Sequence, residues 1–269
     1  MIKKMLSMFM VMGVITLMVG CDMGSSNTFT FIIDESYDEY ITMGTSADYA
    51  PYEWLVKDEN NNQTVVGIDI EIAKVIAKHA GKNLKVIHKG FDFLLEDLAD
   101  GRVDFVISAM TPTPERAKIV DFSTVYYMAT QVVLIETKNM DVYTSVASMN
   151  LSNIRIGAQL GSIQQDYAND LFDAPQKQFI QAVPDLVLGL TSGQLAGVIM
   201  EKPVAEGYIN NITGLSIANF TLGNPEDGSA VAVRKGNKAL LELINDTIQI
   251  LQESGQIDQF VKDSVLLNS

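Results

Sequence analysis

Apolar and polar positions follow two different periods along this chain. In the segment GIDIEIAKVIAKHAG (67–81), apolar residues such as Ile68 and Ile72 recur at helical spacing, with charged residues between them. The run LKVIH (84–88) has the length of a strand, and VDFVISA (103–109) lacks the polar alternation of a half-exposed strand. Apolar runs without polar alternation are typical of strands covered on both faces, as in a parallel sheet. The pattern therefore predicts alternating strands and helices.

This alternation occurs in two rounds, separated by a long apolar run at 125–136. Predicted strands lie at 40–45, 84–88, 103–109, 154–158, 177–182, 195–200 and 229–235. Predicted helices lie at 67–81, 91–101, 161–172, 184–193, 202–210, 237–255 and 257–265. Units of this length predict an α/β fold with two lobes, each a mostly parallel sheet flanked by helices.

The N-terminal residues are predicted to lie outside the folded body. Two lysines precede an uncharged apolar segment, so 1–20 is predicted to be a signal peptide, since the apolar run is short for a membrane span. The stretch LMVGC resembles a bacterial lipobox, in which the cysteine carries acyl chains such as palmitate, although Met18 departs from the usual leucine. A plain secretory signal with an incidental cysteine is the alternative. Residues 21–37 are predicted to be the lipidated Cys21 and a polar tether.

Charge and motif content narrow the function classes. The formal charge of −14 becomes −16 once residues 1–20 are removed, because they contain two lysines and no acids. A nucleic-acid partner is not expected, since binding to its backbone requires a basic face. The chain has no GxSxG, HExxH, P-loop or GxGxxG motif, so we expect no catalytic residue, cofactor or metal. His79 and His88 are expected to be ordinary surface residues. Binding of a small molecule is the default hypothesis.

One arginine stands out by its position in TPTPERAKIVDFS (111–123). Arg116 follows the predicted strand 103–109, and ligands of parallel sheets bind beyond the carboxyl ends of the strands. Two prolines stiffen the loop, and Thr113 is placed to cap a short helix. A guanidinium held in this way is suited to a two-pronged grip on a carboxylate. The alternative is an exposed arginine paired with Glu115 or Asp121.

Several stretches in a fixed order carry a family resemblance. They are GTSADYAPYEW (44–54), VGIDIEIAKVIA (66–77), GRVDFVISAMTPTPERAKIVDFS (101–123), IGAQLGSIQQDYAND (156–170) and GVIMEKPVAEGY (197–208). Over residues 40–260 the chain resembles the bacterial extracellular solute-binding proteins of the polar amino-acid family, the receptors of amino-acid ABC importers. The resemblance implies a type II periplasmic-binding-protein fold with a hinge of two crossovers. Lobe 1 is expected at 38–130 plus 225–269, and lobe 2 at 131–224.

The resemblance also implies roles for residues that would hold the α-carboxylate and α-ammonium groups of an amino acid. Arg116 matches the arginine that grips the carboxylate, and Thr111 matches a hydroxyl residue that helps to hold both groups. Ala109 matches a position that offers its backbone carbonyl to the ammonium. Glu201 matches an aspartate that pairs with the ammonium, and here it is longer by one methylene.

A loop of the second lobe is implied to face the same carboxylate. Gly161, Ser162 and Ile163 match a loop that enters a helix, where backbone N–H groups point towards the anion. Ile163 stands where a threonine is common, so only its backbone donor is expected to contribute.

Aromatic residues are implied to enclose the ligand side chain. Tyr49 and Phe91 match two aromatics that sandwich it, which would suit an aliphatic stem or a cation. Ser46 stands where many relatives have an aspartate that contacts a basic or amide side chain. Asp48 and Glu53 lie close by in sequence and are candidates to replace that aspartate.

The expected protein is an extracytoplasmic lipoprotein that binds an L-amino acid, with a polar or basic one favoured. It is expected to be a monomer on the outer face of the cell membrane and to deliver its ligand to an ABC permease. The alternative is an exported enzyme on the same scaffold, such as a cyclohexadienyl dehydratase. Glu201 or Asp48 would then be its general acid or base, and turnover of prephenate or arogenate would distinguish the two.

Overall fold

The computed structural model describes residues 27–224 and 228–268. The predicted signal peptide and Cys21 lie outside the described residues. Within the described ranges, no helix is both long and apolar enough to cross a membrane.

The order of strands and helices follows the predicted alternation. The strands described are β1 (Thr28–Phe31), β2 (Tyr40–Thr45), β3 (Asp48–Tyr49), β4 (Glu53–Lys57), β5 (Gln63–Val66), β6 (Asn83–His88), β7 (Phe105–Val106), β8 (Val120–Met128), β9 (Gln131–Glu136), β10 (Arg155–Gln159), β11 (Gln176–Ile180), β12 (Gly197–Glu201), β13 (Leu215–Leu222) and β14 (Gly228–Arg234). The helices described are α1 (Ile68–His79), α2 (Leu94–Ala99), α3 (Val146–Met149), α4 (Ile163–Leu171), α5 (Val183–Thr191), α6 (Lys202–Asn211), α7 (Lys238–Glu253) and α8 (Gln256–Leu267). Short 3₁₀ turns lie at Phe91–Phe93, Arg116–Lys118 and Thr137–Asn139.

Two sheets form the centres of two lobes. The first has the strand order β1-β6-β2-β7-β14-β8, and the second has the order β11-β10-β12-β9-β13. Parallel pairs lie at β2 with β6 and β7, and at β10 with β11 and β12. The remaining pairs are antiparallel, so both sheets are mixed, whereas mostly parallel sheets were predicted. The antiparallel strands include β8, β9, β13 and β14, which lead directly from one sheet to the other.

The long apolar run at 125–136 contains one of these passages. It is divided between β8 in the first sheet and β9 in the second, with only Ala129 and Thr130 between them. The second passage lies between Leu222, which ends β13, and Gly228, which begins β14. We propose that these two passages form the hinge between the lobes.

Some predicted boundaries differ from the structure. Residues 28–31 were expected in the tether, but they form β1, which pairs antiparallel with β6 at the edge of the first sheet. Without β1, the backbone N–H and C=O groups on the outer side of β6 would lack partners, and the short strand β1 supplies them. The predicted strand 103–109 is reduced to the two residues of β7. The small sheet β3-β4-β5 and the strand β13 were not predicted.

Helix α1 joins this small sheet to the first lobe. Its isoleucines, including Ile68 and Ile72, are completely buried, and each such side chain contributes about 1.5–3 kcal/mol by leaving water. Before the helix, Gly67 has φ 132°, and a Cβ there would lie 2.1 Å from the carbonyl oxygen of Tyr52. The N–H groups of Ile68 and Asp69 donate to the carbonyl oxygens of Pro51 and Tyr52 at 3.1 and 3.0 Å. The start of α1 is thus fixed against the loop before β4.

Candidate ligand-binding site

A small polar cavity lies between the two lobes. Its wall is formed by Ser46, Tyr49, Phe91, Ser108, Ala109, Thr111 and Arg116 from the first lobe, and by Gln159, Ile163 and Gln164 from the second. Most of the predicted ligand-binding residues are therefore brought together. The lining combines aromatic side chains with a few polar groups and one cation, as in a small-molecule site.

Arg116 lies in the cavity wall at the start of the 3₁₀ turn Arg116–Lys118. Its Nη1 donates to the carbonyl oxygen of Thr111 at 2.6 Å, and its Nη2 donates to that of Gly161 at 3.0 Å. Its backbone N–H donates to Thr113 Oγ1 at 3.2 Å, which fits the predicted capping role of that threonine. A guanidinium has five N–H donors, so donors remain for a ligand.

The alternative ion pairs of Arg116 are not formed. Glu115 lies 3.9 Å from Lys118, and Asp121 lies 2.7 Å from Lys235. Among the described residues, Arg116 forms no ion pair within 4.0 Å, although Asp166 on α4 is near enough to act on it. Burial lowers the pKa of Arg116 to about 10, because a desolvated cation is disfavoured. This half-buried cation, which forms no ion pair with a carboxylate among the described residues, is a place where an anion would be stabilised.

Two aromatic residues form part of the same wall. The Arg116 Cζ lies 5.4 Å from the centre of the Phe91 ring, within the range of a cation–π contact. Tyr49 stacks on Tyr52 with ring centres 5.8 Å apart. The Tyr49 hydroxyl accepts the backbone N–H of Glu201 at 3.1 Å, which ties the first lobe to the second.

The loop before α4 reaches the cavity from the second lobe. Ser162 caps this helix, since its Oγ accepts the N–H of Gln165 at 3.3 Å, and Ile163 is the first helical residue and lines the cavity. The N–H of Gly161 donates to Gln165 Oε1 at 2.9 Å, so it does not face a ligand as expected. Gly161 contributes its carbonyl oxygen, which accepts from Arg116. The positive end of the helix dipole at Ile163 adds to the attraction for an anion.

Glu201 does not line the cavity, in contrast to the sequence-based expectation. It ends β12 and is only 2 % exposed. Burial raises the pKa of Glu201 to about 7, and the charge of Asp69 adds to this, while the side chains of Tyr52 and Gln131 oppose it. Among the described residues its Oε2 has no hydrogen-bond donor. The carboxyl group thus lies one side chain behind the wall, next to Tyr49.

Asp48 and Ser46 connect the cavity to the opposite lobe. Ser46 Oγ donates to Asp48 Oδ1 at 3.2 Å, and Asp48 Oδ2 accepts the N–H of Val183 at 3.0 Å. Burial raises the pKa of Asp48 to about 6, with the charge of Asp185 adding to it and the hydrogen bonds opposing it. Glu53 is completely buried and contacts the cavity wall only through Ser108, whose Oγ donates to it at 2.5 Å.

Three lining residues were not predicted from the sequence: Ser108, Gln159 and Gln164. Gln159 is the last residue of β10, and Gln164 lies in the first turn of α4. The rule that ligands bind beyond the carboxyl ends of strands would have found them. Gln164 Nε2 donates to Gln131 Oε1 at 2.8 Å, and Gln159 Nε2 donates to the carbonyl oxygen of Gln181 at 3.1 Å.

Comparison with known families agrees with this geometry. The profile of the bacterial extracellular solute-binding proteins, family 3, matches residues 41–264. This chain belongs to that family. The expected resemblance and its function class are thereby confirmed: the chain is an extracytoplasmic solute-binding protein.

Relatives of this solute-binding protein include several named for arginine. The arginine-binding extracellular protein ArtP of Bacillus subtilis is 35 % identical over 246 residues, which cover 89 % of each chain. The structure of the amino-acid ABC transporter substrate-binding protein AbpA of Streptococcus pneumoniae, bound to L-arginine, is 36 % identical with a TM-score of 0.81. That match covers 85 % of this chain and 95 % of the other. These similarities confirm the expected type II fold.

A further solved relative concerns the enzyme alternative. The ancestral amino-acid-binding protein AncCDT-1, a precursor of cyclohexadienyl dehydratase, is 28 % identical with a TM-score of 0.76. The match covers 84 % of this chain and 95 % of the other. The named function of this relative is also amino-acid binding.

The two lobes of the solute-binding protein contact each other across the cleft. The bonds between lobes include Arg116 to Gly161 at 3.0 Å, Val183 to Asp48 at 3.0 Å, Glu201 to Tyr49 at 3.1 Å, and Gln181 to Asp92 at 3.0 and 3.2 Å. Each joins residues on opposite sides of the cavity, as in the closed form of a hinged binding protein.

Proposed function

We propose that this solute-binding protein takes up a free L-amino acid in the interlobe cavity and delivers it to the membrane subunits of an ABC importer. The observation that carries the proposal is the Arg116 guanidinium, which is desolvated and held by two carbonyl oxygens beside the start of α4. A ligand carboxylate would complete this site, since it supplies the missing countercharge in the geometry that a guanidinium prefers.

The favoured ligand is an amino acid with a polar or cationic side chain, with L-arginine first. Ser46, Gln159 and Gln164 offer neutral polar groups, and Tyr49 and Phe91 offer aromatic surface for an aliphatic stem or a cation. The relatives ArtP and AbpA, which are named for or bound to arginine, support this choice.

The ammonium group of the ligand is proposed to contact Thr111 and the carbonyl oxygen of Ala109, both of which belong to residues of the cavity wall. Glu201 lies behind Tyr49, so its carboxyl group is proposed to attract the ammonium from there without a direct contact. The backbone N–H of Ile163 is proposed to contact the carboxylate, while Gly161 holds Arg116 through its carbonyl oxygen and Ser162 caps α4.

The protein is further proposed to be a monomer attached to the extracytoplasmic face of the membrane. Acylation of Cys21 would hold it there, as the lipobox-like LMVGC indicates. We propose that it has no catalytic activity, in line with the binding proteins that it resembles.

Calorimetry with the purified protein tests the proposal. Bound ligand is first removed by unfolding and refolding, and each L-amino acid is then titrated. We expect L-arginine or a related polar amino acid to bind, and saturation at about 100 times Kd to stabilise the fold by about 2.7 kcal/mol. Agmatine, which is arginine without its carboxylate, and D-arginine are the matched controls and should bind far more weakly. If refolded protein bound none of the L-amino acids, the proposal would be rejected.

The enzyme alternative is disfavoured by the position of its candidate general acid, because Glu201 lies behind Tyr49 and does not line the cavity. AncCDT-1, a precursor of cyclohexadienyl dehydratase, resembles this chain in sequence and fold. Release of product from prephenate or arogenate would favour this function over transport.

A further inference from the structure

Behind the wall of the cavity, two carboxyl groups lie side by side in the interior. Glu53 begins β4 and Asp69 lies in the first turn of α1, and both are completely buried. Neither lines the cavity. Gly67 permits their approach, because it lets the start of α1 lie directly against the backbone at Tyr52.

The contacts of the two groups are not equivalent. Asp69 accepts hydrogen bonds on both oxygens, from the N–H of Ala109 and the hydroxyl of Tyr126, each at 2.8 Å. Glu53 Oε1 accepts the hydroxyl of Ser108 at 2.5 Å. Glu53 Oε2 is buried and receives no donor among the described residues. The side chain of Asp69, within hydrogen-bonding reach of Glu53, is itself an acceptor.

The charged groups around the pair are of the same sign. The charge of Asp48 on β3 acts on Glu53, and the charge of Asp69 acts on Glu201 at the end of β12. The hydroxyl of Tyr126 on β8 faces both members. In the described ranges no lysine or arginine forms an ion pair with Glu53 or Asp69. Two adjacent buried carboxylates with no cation paired to them cannot both remain ionised.

We propose that Glu53 is a neutral carboxylic acid that donates its Oε2 proton to ionised Asp69, and that this pair positions the Ser108–Ala109 wall of the ligand site. The proton supplies the donor that Oε2 lacks. It leaves Asp69 as the anion, in agreement with the two donors that Asp69 already receives. Burial raises the pKa of both groups, with Glu53 raised well above its ordinary value.

The pair acts on the site through the backbone. Ala109 has φ 45°, a left-handed conformation that is unusual for a residue with a Cβ, and its N–H is held by Asp69. Ser108 is held by Glu53 and in turn accepts the N–H of Ser46 at 3.0 Å. Glu53 and Asp69 are therefore positioning residues. Their effect on affinity rests on the proposed function, but the location of the proton does not.

Two isosteric substitutions in the full-length protein distinguish the two groups. Glu53→Gln reproduces the neutral acid, because its amide donates to Asp69 and its oxygen accepts from Ser108. We expect its Kd for L-arginine to stay within about threefold of wild type. Asp69→Asn has one acceptor oxygen for two donors, so the affinity should fall about tenfold to a hundredfold. If Asp69→Asn were the milder change, or if both were equally damaging, the assignment of the proton would be wrong.

Infrared spectroscopy of the ligand-free protein tests the proton without reference to any ligand. Wild type at neutral pH should show a carbonyl band of buried protonated carboxyl groups, with contributions from Glu53 and from partly protonated Glu201, and Glu53→Gln should lose the Glu53 contribution. Glu201→Gln is the control for assigning the band, because it removes a different buried carboxyl group. An unchanged band in Glu53→Gln would overturn the proposal. If the Glu53 contribution is lost as expected but no amino acid binds, the proposed function fails and the proton pair stands.

The pH dependence of stability provides a readout that a merely structural role would not change. Because the pKa of Glu53 is raised on folding, its contribution to stability is complete below the unfolded-state pKa and is lost as pH rises through the folded-state pKa. The melting temperature of wild type should fall relative to that of Glu53→Gln as pH rises from the unfolded-state pKa of Glu53 towards its folded-state pKa. Parallel pH profiles of the two proteins would contradict the proposal.

Discussion

The guanidinium of Arg116 donates from Nη2 to the carbonyl oxygen of Gly161 at 3.0 Å, across the cleft between the lobes. The same group donates from Nη1 to the carbonyl oxygen of Thr111 within its own lobe. Arg116 therefore takes part in both the ligand-binding wall and the contact that closes the cleft. A change at this position should affect binding more than folding.

Arg116→Ala is expected to weaken amino-acid binding by about 2–5 kcal/mol, the usual loss on removing one partner of a buried charge pair. Arg116→Lys should also bind weakly, because an ammonium keeps the charge but not the planar fork. Calorimetric titration with the amino acid found to bind wild type measures both effects.

Arg155→Ala is the matched control for these variants. Arg155 begins β10 on the second lobe and contacts the amide oxygens of Gln176 and Gln178, away from the cavity. Its removal should leave the affinity unchanged. Equal affinities of Arg116→Ala and Arg155→Ala would refute the role given to Arg116.

Phe91→Leu is expected to reduce affinity by about 0.5–2 kcal/mol, the range of a cation–π contact. The ring faces the Arg116 guanidinium at 5.4 Å and forms part of the cavity wall. Phe91→Tyr keeps an aromatic ring and should bind more tightly than Phe91→Leu. Stopped-flow or calorimetric affinities of the two variants test the ring, and no difference between them would show that only its bulk matters.

Gly161→Ala is expected to hinder closure of the lobes. Gly161 has φ 77°, and a Cβ there would lie 3.1 Å from the Cα and Cβ of Asp92 on the opposite lobe. The new methyl group meets atoms that cannot rotate away, so the ligand affinity should fall while the ligand-free protein remains folded.

Gly193→Ala controls for backbone strain in this experiment. Gly193 has φ 76°, but a Cβ there meets nothing within 4 Å. Both alanines carry a left-handed conformation that costs about 1–2 kcal/mol, and only one obstructs the cleft. Similar melting temperatures with a lower affinity for Gly161→Ala alone are expected, and an equal loss of affinity in both would argue against the steric explanation.

Asp48 is expected to make closure of the ligand-free protein depend on pH. Its pKa is about 6 in the closed cleft against an ordinary 3.8, so the closed form binds the proton more strongly than a hydrated, open one. The contribution to closure is complete below the lower value and is lost as pH rises through about 6. Fluorescence transfer between labels on the two lobes should show the closed fraction rising as pH falls.

Asp48→Asn provides the comparison, because its amide oxygen can still accept the N–H of Val183 but does not titrate in this range. Its closed fraction should vary less with pH than that of wild type. Glu201, with a pKa near 7, accounts for the dependence that remains. Identical pH profiles for wild type and Asp48→Asn would exclude Asp48 as the titrating group.

Local periodicity located most of the regular structure because it depends on neighbours in the chain. The helical period at 67–81 corresponds to α1 at Ile68–His79, and the strand predicted at 84–88 corresponds to β6. By contrast, β4 and β5 were missed because their polar residues, in a small half-exposed sheet, give no sustained apolar period. The division of the run 125–136 between two sheets also left no local signal, since both strands are apolar.

The sequence by itself determined the two-lobe α/β class, the family and the grouping of Arg116 with Thr111, because these depend on order and short spacing along the chain. Only the tertiary structure decided which of the candidate acids reach the cavity. Glu201 lies behind Tyr49, and Glu53 meets Asp69 because α1 begins against the loop before β4. The charge state of a buried carboxyl group depends on distance, dielectric and donors in three dimensions, and these quantities have no linear pattern in the sequence.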